Sequence, residues 1–320
     1  MHRRTLPRRS YHFWSFVSLL FAAILALSPY IPNFHQGLAL VHAASDDECG
    51  PLDVVLVIDR TGSMLNAIDN VKAAVDDVVD EVANAAGGDY QLGLLTFADE
   101  ITVLNDLATG NRSAVKASIA AIVADSGKNA PEASDEALNT AINRLPAAGR
   151  PQQGDFAGAW RVDATKIIIL ITDALPAGFN DTYESGIDDA NANQRAVEAK
   201  NGGILITAVY VPTLGVTAAN VAETNAPRAE DASVVETIMQ NYANVTGGGY
   251  IRTSPNGGGT ARAINLTVQK CGKPGNPITV SDDEVRADKP VPIPEPITIV
   301  LFGTGLAGLA GLARRRQAKK

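Results

Sequence analysis

The run Asp53-Val-Val-Leu-Val-Ile-Asp59 constrains the fold more than any other segment of the chain. Five apolar, mostly β-branched residues in succession leave no polar face for water, so they read as a buried strand. That strand ends on a carboxylate, and Thr61 and Ser63 follow at alternate positions. One anionic and two neutral oxygens therefore share a turn at the carboxyl end of a strand, where open α/β sheets build their sites. Hard oxygens without thiolate or imidazole suit a small divalent cation such as Mg²⁺. The structural alternative is a plain helix start in which Thr61 or Ser63 is the cap.

The rest of the chain repeats a strand–helix alternation. A long helix is expected over 64–86, with Ile68, Val71, Val75, Val78 and Val82 on one stripe and Gly87-Gly88 as its stop. Strands are expected over 90–97 and, at an edge, 101–104; helices over 113–123 and 131–145, the latter opened by Pro131 and closed by Pro146. Residues 147–163 read as a polar loop. The unbroken run Ile167–Ile171 makes 166–172 a central strand. A helix over 188–200, a strand over 204–211, a loop over 212–228, a helix over 232–245, a short strand over 249–251 and a helix over 260–268 complete the series. Strands alternating with helices predict an α/β, doubly wound, mostly parallel central sheet flanked by helices.

Both ends differ from this body. Residues 1–43 open with Arg3, Arg4, Arg8 and Arg9, continue through an apolar stretch and close on Val41-His42-Ala43, the pattern of a signal peptide. An uncleaved amino-terminal anchor is the alternative. Residues 272–296 read as a linker rich in Pro and charge, extended by Pro290, Pro292, Pro294 and Pro296. Residues 297–313 are uncharged and, as a helix, about 26 Å long, near the short limit for a transmembrane helix. The basic tail 314–320 holds Arg314, Arg315 and Arg316, so it belongs on the cytoplasmic side with the body of the protein outside.

Charge and cysteine usage agree with export. Residues 1–43 carry four Arg and no acid, and residues 297–320 carry three Arg and two Lys. Without both segments the net charge falls from -8 to -17. Such a body repels nucleic acid, and anionic polysaccharide too unless a cation bridges them. Cys49 and Cys271 bound the domain expected over 49–271, and a disulfide between them is the natural expectation in an oxidising compartment. It would close a loop worth about 5 kcal/mol in the chain-entropy model. Two free thiols or an intermolecular bond are the alternatives.

Three separated segments bring oxygens to the same sheet edge. Asp173 ends the run Ile167-Ile-Ile-Leu-Ile-Thr-Asp, and Ala130-Pro131-Glu132 sets a carboxylate at a helix start, where the helix dipole favours it. Carboxylates gathered there without a cation would repel one another. With Asp59, Thr61 and Ser63, the set resembles the von Willebrand factor type A domain and its metal-ion-dependent adhesion site, over roughly residues 51–270. The family's D-x-S-x-S motif is matched by Asp59, Thr61 and Ser63, Thr replacing the middle Ser. Its later strand-end Asp is matched by Asp173, and its second strand by Leu94-Leu-Thr96-Phe97-Ala-Asp99.

The Pro131-Glu132 loop looks most like integrin beta subunits, which places Glu132 among the ligands. Other members use a Thr in that region, and Thr140 lies too deep in the helix to serve. The flanking cation sites of integrin beta subunits would need carboxylates where Asn66, Ala67 and Asn129 stand, so one metal is expected. The resemblance implies Mg²⁺, with Mn²⁺ or Ca²⁺ as substitutes, and an open coordination position filled by an acidic group of a protein or other surface partner. The carboxyl end resembles the PEP-CTERM sorting signal, carried by Pro294, Glu295 and Pro296, the apolar helix and Arg314, Arg315 and Arg316. It implies recognition by an exosortase, an inner-membrane-anchored precursor, and delivery to the cell surface or extracellular matrix of a Gram-negative bacterium. A plain carboxyl-terminal anchor is the alternative.

A surface scaffold whose metal only stabilises the fold is a competing reading. An enzyme is a weaker one. A phosphohydrolase with Asp59 as nucleophile wants a second Asp where Thr61 stands, and Lys166 lies at the far end of a strand from Asp173. His2, His12, His35 and His42 are the four histidines, all within 1–43, which removes the commonest general base from the exported part.

Overall fold

The computed structural model describes residues 49–124, 131–180, 182–213, 229–273 and 278–279. The expected signal peptide, PEP motif, transmembrane helix and basic tail lie outside these residues. Among the described residues no helix is long and apolar enough to cross a membrane.

The strands are β1 (Leu52–Asp59), β2 (Tyr90–Phe97), β3 (Ile101–Ala108), β4 (Gln152–Gln153), β5 (Thr165–Thr172), β6 (Ile204–Tyr210), β7 (Tyr250–Arg252) and β8 (Ile278–Thr279). The helices are α1 (Ile68–Ala85), α2 (Arg112–Ala120), α3 (Ser134–Asn143), α4 (Asp188–Asn201), α5 (Ala229–Thr246) and α6 (Thr260–Gln269). One sheet runs in the order β4-β3-β2-β1-β5-β6-β7-β8. β1 pairs in parallel with β2 and β5, and β6 in parallel with β5 and β7, while β3 runs antiparallel to β2. The doubly wound, mostly parallel architecture is the expected one.

Strand alternation divides the interior into two layers. Val54, Leu56 and Ile58 of β1 pack with Val71, Val75 and Val78 of α1, Val115 of α2 and Ile264 of α6. Val55 and Val57 face Leu138 of α3, Ala196 of α4 and Met239 and Tyr242 of α5. Both faces of β1 are thus covered, which is why its sequence has no polar alternation. Gly87 and Gly88, at φ 57° and 90°, turn the chain out of α1 in a conformation that side chains rarely adopt.

Several boundaries differ from expectation. Residues Gly62–Asn66 form a separate 3₁₀ turn before α1, because the hydroxyl turn is tied back to the strand end. Helix α3 begins at Ser134, not Pro131: the Glu132 amide donates to Leu175 O and its carbonyl accepts from Ala177 N, which holds this segment as a bridge to Pro176. Strand β3 extends to Ala108 and is not the edge; Gln152–Gln153 pairs outside it. The loop 147–163 is less polar in its packing than in its composition, since Phe156 is buried and the Trp160 indole donates to Ala141 O at 3.0 Å. The expected linker contributes β8, which pairs with β7. Cys49 and Cys271 form the expected disulfide, with Cα atoms 5.3 Å apart.

Candidate metal centre

Parallel pairing brings the site together. Ile58 of β1 is in register with Ile171 of β5, and Thr172 with Tyr210 of β6, so Asp59, Asp173 and the segment after Tyr210 emerge side by side at one sheet edge. Asp59 and Asp173 are both buried.

Hydroxyls link the two carboxylates. Asp59 Oδ1 accepts from the Thr61 amide at 2.9 Å and from Thr61 Oγ1 at 2.6 Å. Thr61 Oγ1 is 2.8 Å from Ser63 Oγ, and Ser63 Oγ donates to Asp173 Oδ1 at 2.9 Å. Four of the five residues expected from sequence are therefore in one connected chain. Two further residues belong to it. Thr172 Oγ1 donates to Asp59 Oδ2 at 2.6 Å, and Thr213 Oγ1 donates to Asp173 Oδ2.

Glu132 is buried on the adjoining loop, its backbone held against the Leu175–Ala177 segment that follows Asp173. Among the described residues no three carboxylate, imidazole or thiol groups gather into a set that could hold a metal. Thr140 is excluded by position: its hydroxyl lies 2.8 Å from Gln152 Oε1, inside α3's own packing. Asn66 is exposed and Ala67 buried just after the hydroxyl turn, so neither supplies a carboxylate for a flanking cation. Lys166 donates to Gly202 O at 3.1 Å at the amino end of β5, the opposite edge from Asp173.

The proton count at this site does not close. Thr61 and Ser63 own one hydroxyl hydrogen each, and these are committed to Asp59 and Asp173. The 2.8 Å contact between the two hydroxyl oxygens then has no hydrogen of its own. Among the described residues no Lys or Arg pairs with either carboxylate. Burial, with the Asp59 charge as second cause, pushes Asp173 up to about 8. Burial also raises Asp59, against the pull of its bonds from Thr172 and Thr61. The site is rich in lone pairs and short of positive charge. A proton on Asp173 or a hard cation meets that need, and the all-oxygen donor set fits a Mg²⁺-class ion.

An α/β sheet with paired carboxylates and hydroxyls at its carboxyl edge is the architecture that the fold and the site together define. The chain belongs to the von Willebrand factor type A domain family, whose model matches residues 53–243. A PEP-CTERM protein-sorting motif matches residues 292–317. No curated protein matches the chain. Solved structures similar to it include the conserved hypothetical protein BatB from Bacteroides thetaiotaomicron, at 20% identity and TM-score 0.46, covering 69% of this chain and 98% of that one. An aerotolerance-related membrane protein from Bacteroides fragilis NCTC 9343 is similar at 17% identity and TM-score 0.44, covering 68% and 99%. Proximal thread matrix protein 1 from the mussel byssus, with a zinc-occupied MIDAS motif, is similar at 18% identity and TM-score 0.46, covering 70% and 46%.

Proposed function

We propose that this protein is a divalent-cation-dependent adhesion or protein-binding module sorted to the cell surface or extracellular matrix, and not an enzyme. Asp59, Thr61, Ser63 and Asp173 would hold one Mg²⁺, or Mn²⁺ or Ca²⁺ in its place, with Glu132 as a further ligand. The ion would supply a Lewis-acidic position that an acidic group of the partner completes. The observation that carries this reading is the hydroxyl-linked pair of buried carboxylates with, among the described residues, no cationic side chain against them.

The chain's own residues prepare that role. Thr172 and Thr213 each hold the outer oxygen of one aspartate, so the inner oxygens are aimed at the Thr61–Ser63 turn. The parallel sheet fixes the separation of β1 and β5, and the disulfide ties the chain just before β1 to Cys271, two residues past α6. The sorting motif supports recognition by an exosortase from an inner-membrane-anchored precursor. The alternative scaffold reading, a metal that only stabilises the fold, predicts metal-dependent melting without metal-dependent capture.

Immobilised protein incubated with surface material in Mg²⁺ tests the proposal. Capture that is released by chelator and absent with Asp173→Asn is expected. Capture unchanged by chelator contradicts it.

A further inference from the structure

After Asp173 the chain runs through Leu175, Pro176 and Ala177 to Gly178 and Phe179. Glu132 takes both of its backbone bonds from this loop. Its amide donates to Leu175 O at 2.8 Å, and its carbonyl accepts from Ala177 N at 3.0 Å. The position of the loop therefore sets the position of Glu132. Asp173 opens the same loop, so one short segment serves two of the expected ligands.

Two consecutive residues in the first turn of α3 hold the loop in place. Gly178 N donates to Asp135 Oδ1 at 2.9 Å. Glu136 acts through Arg150, whose Nη2 donates to Glu136 Oε2 at 2.8 Å and whose guanidinium carbon lies 5.3 Å from the Phe179 ring centroid. In the second hold the charges are paired and half-buried.

The first hold differs. Asp135 is 3% exposed, and among the described residues no Lys or Arg pairs with it. Burial pushes its carboxyl up to about 6, against the pull of the Gly178 amide. It is therefore ionised at pH 8. The start of a helix favours an anion, but it does so at the surface as well and gives no reason to bury one. The bond to Gly178 supplies that reason, because an ionised acceptor makes a hydrogen bond about twice as strong as a neutral one.

We propose that Asp135 is a positioning residue for the metal centre: it latches the loop after Asp173 to α3 and so holds Glu132 in place as a ligand. The contribution of Glu132 then depends on a carboxylate outside the ligand set. This rests on the metal-dependent reading above.

The test is calorimetric titration of Mg²⁺ at pH 8 into the full chain and its variants, with melting in chelator read beside each. Asp135→Ala is expected to bind Mg²⁺ about tenfold more weakly, the scale for residues that orient a metal ligand. Asp135→Asn keeps an oxygen for the Gly178 amide and should stay within about threefold of the wild type. Glu132→Gln should bind more weakly but measurably, since it keeps an oxygen donor. In that background Asp135→Ala should cost under about twofold, because the latch has little left to position. A lower melting temperature for Asp135→Ala with unchanged Mg²⁺ affinity makes Asp135 a stability residue only and overturns the proposal. So does the same tenfold loss in both backgrounds, which would mean that Asp135 does not act through Glu132. Equal losses in the Asn and Ala variants overturn the latch in favour of the charge itself. Wild-type affinity in Glu132→Gln removes Glu132 from the ligand set and overturns the latch, leaving Asp59 and Asp173 standing. Absence of Mg²⁺ binding by the folded wild type removes the metal reading and this proposal with it.

Discussion

Asp53 is the second residue of strand β1 and Asp59 its last, and both side chains are buried. At the amino end, Arg161 answers Asp53: its amide donates to Oδ2 at 2.6 Å and its Nε to Oδ1 at 2.7 Å. The same guanidinium bonds Leu52 O at 3.0 Å and pairs with Asp89. At the carboxyl end, Asp59 receives, among the described residues, only hydroxyls and backbone amides, and a second carboxylate stands within the same network. Burial of a carboxylate is thus not itself a functional sign in this fold. The missing cation is, because the protein supplies one where it needs only stability.

The largest expected effect lies at the paired end. Arg161→Ala leaves Asp53 buried and unanswered, and denaturant unfolding should show a loss of about 3–5 kcal/mol with or without Mg²⁺. A loss under about 1 kcal/mol would mean that the ion pair is not formed in solution, and the contrast would fail.

At the other end the sign reverses. Asp173→Asn removes an uncompensated buried charge, so metal-free stability at pH 8 should rise by about 1–3 kcal/mol while Mg²⁺ binding disappears. A variant that is less stable in chelator and still binds Mg²⁺ would break the comparison from this side.

pH sharpens it further. Asp173 is raised to about 8 in the fold, whereas the unfolded chain releases this proton at about 3.9. Between these values the native state holds the extra proton, so metal-free stability falls as pH rises from about 4 to about 8. Mg²⁺ affinity should rise over the same interval, by up to about tenfold per pH unit, because the ion displaces that proton. Melting temperature should fall with pH in chelator and stay nearly level in saturating Mg²⁺, where the ion has already displaced the proton; parallel slopes would place the proton elsewhere.

The smallest effect belongs to Thr213→Val. It removes one donor to Asp173 Oδ2, and about 1 kcal/mol of support for the ionised carboxylate goes with it. Titration should show Mg²⁺ affinity about fivefold weaker, with the fold intact.

This contrast was half legible in the sequence. The strands β1 and β5 declared themselves by runs with no polar alternation, which only two-sided burial allows. Asp59, Thr61, Ser63 and Asp173 followed, since a motif at a strand end needs only local spacing to place it. Thr172 was hidden because a Thr beside a strand-end Asp looks like ordinary strand composition, and Thr213 because it lies in a segment read as loop. The signal for Thr213 was its place just beyond β6, the parallel neighbour of β5, but that requires the strand order. Asp53 and Arg161 were illegible for the same reason: 108 residues separate them, and the loop carrying Arg161 has no periodicity. The sequence around Glu132 has the pattern of a helix start, whereas backbone pairing with the Pro176 segment governs its placement.

The most direct measurement is calorimetric titration of Mg²⁺ at pH 8 into the chain and into the Asp59→Asn, Asp173→Asn double variant. One site in the wild type, and none in a variant that is folded and more stable in chelator, is the predicted result. A folded wild type that takes up no Mg²⁺, or a double variant that binds it equally well, would contradict the claim that the unanswered carboxylates at the end of β1 form a cation site.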